Sequence, residues 1–188
     1  MDERKWIEQT LAGDTRSFSC LVVKYEKMAF TIAFRILNNR EEAEEVVQDA
    51  FVKMYRALSG FQFDSKFSTW FYRIVYRTAL SARKEQRPFL RIEEGKGYEQ
   101  VTTDEADTAS GVLERKDRQL IIKQLLGRLS ADDSLMLTLF YLEECSIDEI
   151  HTITGLTQTN IKTKLFRARK RFYEELQKTM QQETNDIR

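Results

Sequence analysis

Over about the first ninety residues, apolar positions recur at steps of three and four, the signature of one buried face on successive helices. Glu3 to Leu11 reads as a short helix stopped at Gly13. Asp14 is placed to cap a second helix, with Phe18, Leu21, Val22, Tyr25, Ala29, Ile32, Ala33 and Ile36 inward. Asn38-Asn39 breaks it. A third helix turns Ala43, Val46, Val47, Ala50, Phe51, Met54, Tyr55 and Leu58 inward and ends at Gly60. Phe61 to Phe67 loses the helical period and reads as a loop. Ser68 then caps a fourth helix through Trp70, Phe71, Ile74, Val75 and Leu80, stopping before Pro88. Four such helices can bury a core of their own.

From roughly Arg87 to Val112 the pattern lapses into Gly95, Gly97, Thr102, Thr103, Ser110, Gly111 and acids, the composition of a flexible linker. Its length would reach about 85 Å fully extended or about 28 Å as a flexible coil. Helical spacing resumes at Leu113 and runs through Ile121, Leu125 and Leu129. Ser130-Ala131-Asp132-Asp133 looks like a helix start leading into Leu135, Leu137, Leu139 and Phe140. Ser146-Ile147-Asp148-Glu149 has the spacing of a capping box, and Gly155 cuts the helix it opens short. Thr157 caps a longer helix. A short helix, a glycine turn and a second helix make a helix-turn-helix. On the second helix Leu165, Ala168 and Phe172 fall within about 40° of Ile161, and the four form the buried stripe. Thr159, Lys162, Thr163, Phe166, Arg167 and Lys170 lie on the other side. An ordinary amphipathic helix would show the same stripe, but it would not need the tight helix and turn before it. The fold expected is all-α: two small helical domains joined by a flexible acidic linker, the second carrying the helix-turn-helix. The expected boundaries are 1–88, 89–112 and 113–188.

The 188 residues balance thirty Lys+Arg against thirty Asp+Glu, so the net charge is zero, yet its distribution is uneven. Glu41, Glu42, Glu44, Glu45 and Asp49 stand without a base between 41 and 50. Arg73, Arg77, Arg83, Lys84, Arg87 and Arg91 face only Glu85. Asn160 to Tyr173 carries Lys162, Lys164, Arg167, Arg169, Lys170 and Arg171 and no acid. Each segment alone reads equally as a solvated face. Together, two basic segments and one acidic one fit two contacts to a polyanion and a surface for a different partner. Cys20 and Cys145 are too few for a disulfide scaffold, and with His151 the only histidine there is no zinc-finger spacing. They read as reduced, half-buried packing residues. No run is apolar enough to span a membrane, and the chain's start leads into no signal-peptide core, so the expected address is cytoplasmic. No Gly-rich phosphate loop or metal cluster is present, and the consecutive Glu44-Glu45 pair diverges by roughly 100°, so neither enzyme chemistry nor a cofactor is expected.

Three segments resemble the extracytoplasmic-function (ECF) sigma factors of the sigma-70 superfamily. Ala43-Glu44-Glu45-Val46-Val47-Gln48-Asp49-Ala50-Phe51 is similar to the family's acidic motif. Phe67-Ser68-Thr69-Trp70-Phe71-Tyr72-Arg73-Ile74 is similar to its Trp-centred signature. Ser146 to Ile150 and Ile161 to Arg169 resemble its helix-turn-helix. The resemblance covers almost the whole chain. It implies a transcription initiation factor that binds core RNA polymerase and promoter DNA, is held by an anti-sigma factor, and catalyses nothing. By that resemblance Glu41, Glu44, Glu45, Gln48 and Asp49 would face the polymerase. Gln62, Phe63, Asp64, Ser65 and Lys66 would hold a base flipped from the −10 strand, with Phe61 and Phe67 either part of that pocket or plugs of the core. Arg73, Arg77, Arg83 and Lys84 would track phosphates, and Trp70 would mainly pack. Thr157, Thr159, Asn160, Lys162, Thr163, Phe166, Arg167 and Lys170 would read the −35 duplex. Ser130, Arg77, Glu144-Cys145 and His151 depart from the family's usual Pro, Asn, Gly and Ala; His151 is expected either to tilt outward or to widen the helix crossing. The rival readings are a helix-turn-helix regulator with a sensing N-terminal half, for which no ligand pocket or phosphoacceptor is evident, and a helical adaptor without DNA affinity.

Overall fold

The structure, a computed structural model, describes residues 3–86 and 120–186, with side chains for 3–85 and 120–181. The predicted linker 89–112, the stop before Pro88 and the restart at Leu113 lie outside the described residues. Among those described, every regular element is helical. The N-terminal half holds α1 (Glu3–Leu11), α2 (Thr15–Leu37), α3 (Arg40–Ala57), a 3-10 turn (Leu58–Gly60) and α4 (Phe67–Gln86). The C-terminal half holds α5 (described over 120–128), α6 (Ala131–Leu137), a π turn (Thr138–Leu142), α7 (Ile147–Thr154) and α8 (Gln158–Asp186).

Local chemistry sets most boundaries. Gly13 takes φ +94, a conformation open to glycine, and Asp14 accepts from the N–H groups of Arg16 and Ser17 to start α2. Asn38 ends α2 in the left-handed region at φ 54, and Asn39 then caps α3 by accepting from the Glu42 N–H. The start of α4 is a correction: it begins at Phe67, with the Trp70 N–H already bonded to the Lys66 carbonyl at 3.2 Å, so Ser68 lies inside the first turn. Phe67 is 2 % exposed and sits against Tyr25, Phe61 and Phe71, which anchors the chain in helical geometry earlier than the polar pattern suggests. Tyr55 also departs from expectation. It is half exposed, its ring edge-on to Phe18 at the flank of the core.

Helices α1 to α4 form one bundle, with α2 central to it. In the C-terminal half α6 and α7 both pack on α8. The two halves also meet: α4 lies along α7 and α2 along α6, so one hydrophobic cluster runs from Ile7 to Ala168. Burying Phe71, Leu139 or Ile150 contributes about 1.5–3 kcal/mol each. The π turn has no counterpart in the sequence pattern. The Glu143 N–H reaches the Thr138 carbonyl at 3.1 Å, five residues back, and the Cys145 N–H reaches Leu139 at 2.9 Å. This wider turn leaves Tyr141 and Leu142 half exposed and carries Glu143 and Cys145 back towards α4. The two cysteines, expected to be alike, divide: Cys20 is exposed on α2 and Cys145 is buried.

Candidate nucleic-acid and polymerase interface

The helix-turn-helix is fixed at both ends of α7. The Ser146 hydroxyl accepts from the Glu149 N–H at 3.2 Å, and the Glu149 carboxylate accepts from the Ser146 N–H at 2.8 Å, the reciprocal capping box. Gly155 ends the helix at φ +74. Thr157 accepts from the Asn160 N–H at 3.3 Å and starts α8. Ile161, Leu165 and Ala168 are buried and Phe172 half-buried, as the rotation predicts. Thr157, Thr159, Asn160, Lys162, Thr163, Phe166, Arg167 and Lys170 are all exposed together on the helix and its entry. His151 tilts outward, its Nδ1 2.7 Å from the Leu156 carbonyl, where it braces the turn.

The six cations that α8 carries between residues 160 and 173 do not act alike. Lys164 pairs with Asp132 at 3.0 Å, Arg171 pairs with the buried Asp133, and Arg169 lies over the rings of Phe140 and Tyr141. These three fasten α8 to α6 and the π turn. Lys162, Arg167 and Lys170 are exposed, and no described residue holds them. That leaves three cations beside the Thr159 and Thr163 hydroxyls, a surface able to meet phosphates and base edges in a groove.

In the N-terminal half, Gln62, Phe63, Asp64, Ser65 and Lys66 are exposed on the loop between the 3-10 turn and α4. Phe61 and Phe67 are buried beneath it, where both pack in the core. Phe63 stands at φ 61, an unusual conformation for an aromatic residue, with its ring 4.8 Å from Phe61 and the Arg4 guanidinium 4.9 Å above it. Lys66 reaches Glu149 of α7 at 3.0 Å, which raises the lysine pKa. Burial pushes the Glu149 carboxyl up, but the Ser146 N–H, the Lys66 ammonium and the Ser146 hydroxyl outweigh it and hold the group below its ordinary value.

A groove of about 230 Å³ beside the loop is lined by Ala57, Trp70, Arg73, Ile74 and Arg77. The i, i+3, i+4, i+7 spacing of its α4 residues was the available signal. Trp70, expected mainly to pack, does so 5.1 Å from Phe61, but it also walls this groove. Arg83 and Lys84 follow further along α4, well away from the loop. On α3, Glu41, Glu44, Glu45, Gln48 and Asp49 are exposed, with Arg40 bonded to Glu44 at 2.9 Å. Glu45 and Asp49 line a groove of about 260 Å³ between α3 and α4 with Lys53, whose ammonium donates to Thr78. Among the described residues no group of His, Cys, Asp or Glu is placed to hold a metal, and no helix is long and apolar enough to cross a membrane.

The family description Sigma-70 region 2 matches residues 21–89, and Sigma-70, region 4 matches residues 119–172. The RNA polymerase sigma-H factor of Pseudomonas aeruginosa is 31% identical over 93% of this chain and 94% of its own length. The ECF RNA polymerase sigma-E factor of Escherichia coli is 30% identical over 87% of this chain and 88% of its own. Among solved structures, the sigma factor RpoE in complex with the anti-sigma factor NepR from Bartonella quintana has the same fold. It is 21% identical, covers 86% of this chain and 98% of its own, and has a TM-score of 0.65. Two matched regions in order, a shared fold and full-length relatives agree: this chain belongs to the ECF sigma factors of the sigma-70 family, the factors that direct RNA polymerase to promoters.

Proposed function

We propose that the chain reads a promoter at two points while docked on core RNA polymerase through a third. The units are 1–88 for polymerase and the −10 element, 89–112 as the connection, and 113–188 for the −35 element. Glu41, Glu44, Glu45, Gln48 and Asp49 offer the polymerase an acidic and amide face. Gln62, Phe63, Asp64, Ser65 and Lys66 receive a base taken out of the stack at −10, where flipping costs a few kcal/mol and an aromatic beside polar groups offsets it. Arg73, Arg77, Arg83 and Lys84 follow the backbone of that strand. Thr157, Thr159, Asn160, Lys162, Thr163, Phe166, Arg167 and Lys170 read −35 as duplex. The chain acts by binding, not by catalysis, and works in the cytoplasm beside the polymerase. An anti-sigma factor is its proposed regulator, since RpoE was solved with NepR and CnrH with the cytosolic domain of CnrY.

The observation that carries this reading is the split of charge on α8 between residues 160 and 173, where three cations anchor the helix and three remain for a ligand. Run-off transcription with purified bacterial core polymerase on a genomic promoter library tests it. Defined start sites that require this chain support the reading, and their aligned upstream sequences give both elements. No defined transcripts, together with no capture of core polymerase, would reject it.

A further inference from the structure

Four flat groups follow one another across the N-terminal half. The Trp70 ring lies 5.1 Å from Phe61, Phe61 lies 4.8 Å from Phe63, and the Arg4 guanidinium stands 4.9 Å over the Phe63 ring. Phe61 is packed at 9 % exposure, but the row opens outward: Phe63 is 41 % exposed and the Arg4 side chain 66 %. Cations stand at both ends, Arg73 and Arg77 beside Trp70 and Arg4 itself on Phe63. Flat faces between cations match a single strand, whose bases stack and whose phosphates need neutralising. We propose that Arg4 of α1 is a further residue of the −10 reader. Its guanidinium gives a second base of the melted strand a face to stack on, next to the base held by residues 62–66, and its charge meets a phosphate of that strand. This placement rests on the reading of residues 62–66 as the −10 loop, and it brings in a helix that lies outside the matched region 21–89.

Arg4 is held in place for this task and does little for its own helix. α1 is pinned to α2 by Glu3, which accepts from the Lys24 ammonium and the Tyr25 hydroxyl, and Ile7 is buried in the core at 1 % exposure. The helix also packs against the 3-10 turn that leads into the loop. The Arg4 Nε donates to Glu8 at 3.0 Å, one turn on, which sets the plane of the guanidinium. As a stabiliser of α1 the residue is badly placed. A cation in the first turn faces the positive end of the helix dipole, and an exposed pair with the cation on the N-terminal side is the weaker order. Over Phe63 it is well placed. It covers a ring whose backbone stands at φ 61, and a planar, weakly hydrated cation can lie between an aromatic ring and a base as an ammonium cannot.

The test assembles the full chain on purified bacterial core polymerase and adds a fluorescent single-stranded DNA of mixed sequence. Anisotropy is read from about 50 to about 200 mM salt, with core polymerase alone as the blank. Arg4→Ala should weaken binding about tenfold and make the slope of log K against log salt shallower by about 0.7, the share of one phosphate contact on a single strand. Arg4→Lys keeps the charge and loses the plane, so the slope should return to that of the wild type while about a threefold loss of affinity remains. Far-UV circular dichroism and the melting temperature of the free chain should hold in both, because the pair with Glu8 is exposed. Unchanged affinity in Arg4→Ala overturns the proposal. Full recovery in Arg4→Lys overturns the stacking, and an unchanged slope in Arg4→Ala overturns the phosphate contact. Phe63→Gly, measured alongside, separates Arg4 from the loop it serves. If Phe63→Gly weakens single-strand binding and Arg4→Ala does not, the loop reading stands and Arg4 falls. If neither does, or if the chain does not assemble on the polymerase, both fall.

Discussion

The two basic helices, α4 and α8, carry similar charge and use it differently. On α8 the proposed ligand-facing side is one exposed face of a capped helix, and three of the six cations between residues 160 and 173 fasten it to α6 and the π turn. On α4 the cations flank a groove and an irregular loop, and aromatic rings form the floor. A duplex presents an ordered pattern of edges and phosphates, so its reader gains from a rigid face set at one register. A single strand has no such order until its bases are held, and a loop over rings can hold them.

Substitutions that separate these surfaces sharpen the contrast. The largest effect should come from Phe71→Ala at the fully buried floor of the loop, which is expected to remove about 3–5 kcal/mol in denaturant unfolding. Arg167→Ala should weaken −35 duplex binding by about 1–3 kcal/mol and leave single-strand binding intact, as read by fluorescence anisotropy. Equal losses on both DNAs would show that the two faces are not separate. Phe63→Gly should act on the other side with opposite signs. Single-strand affinity should fall by about 1–3 kcal/mol for a lost stack, while the melting temperature holds or rises because the φ 61 strain is relieved.

Gly155→Ala should lower stability by about 1 kcal/mol. The space beside Gly155 is open, so the change probes only its φ of +74 and hence the rigidity of the turn before α8. The smallest effect is in pH. Because the folded Glu149 carboxyl lies below its ordinary value of 4.5, its contribution is present above that value and is lost as pH falls through the lowered one. Comparing wild type with E149Q by thermal melts across that acid range should show the difference between them shrinking towards low pH.

Much of this was legible in the residues, for a local reason. Asp14, Asn39, Ser130, Ser146 and Thr157 were placed as helix starts or breaks by groups within three positions, and the structure gives each its capping bond. The stripe of α8 follows from a fixed rotation per residue. Ser68 failed because the partners of Phe67 lie in α2 and in the preceding turn, beyond the local window. The cysteines failed for the same reason: Cys145 is buried and Cys20 is exposed, a difference set by packing beyond the local window.

By itself, then, the sequence determined most of the helices, the caps other than that of α4, the helix-turn-helix and the family, all of which depend on spacings within a few residues. Tertiary structure alone decided which cations of α8 were left for a ligand, where the π turn sent Glu143, and that Glu149 would meet Thr69 across 80 positions. Helical period says which way a side chain faces. Its partner is set by what the rest of the chain brings there, and contacts at such separation depend on packing that no local pattern encodes.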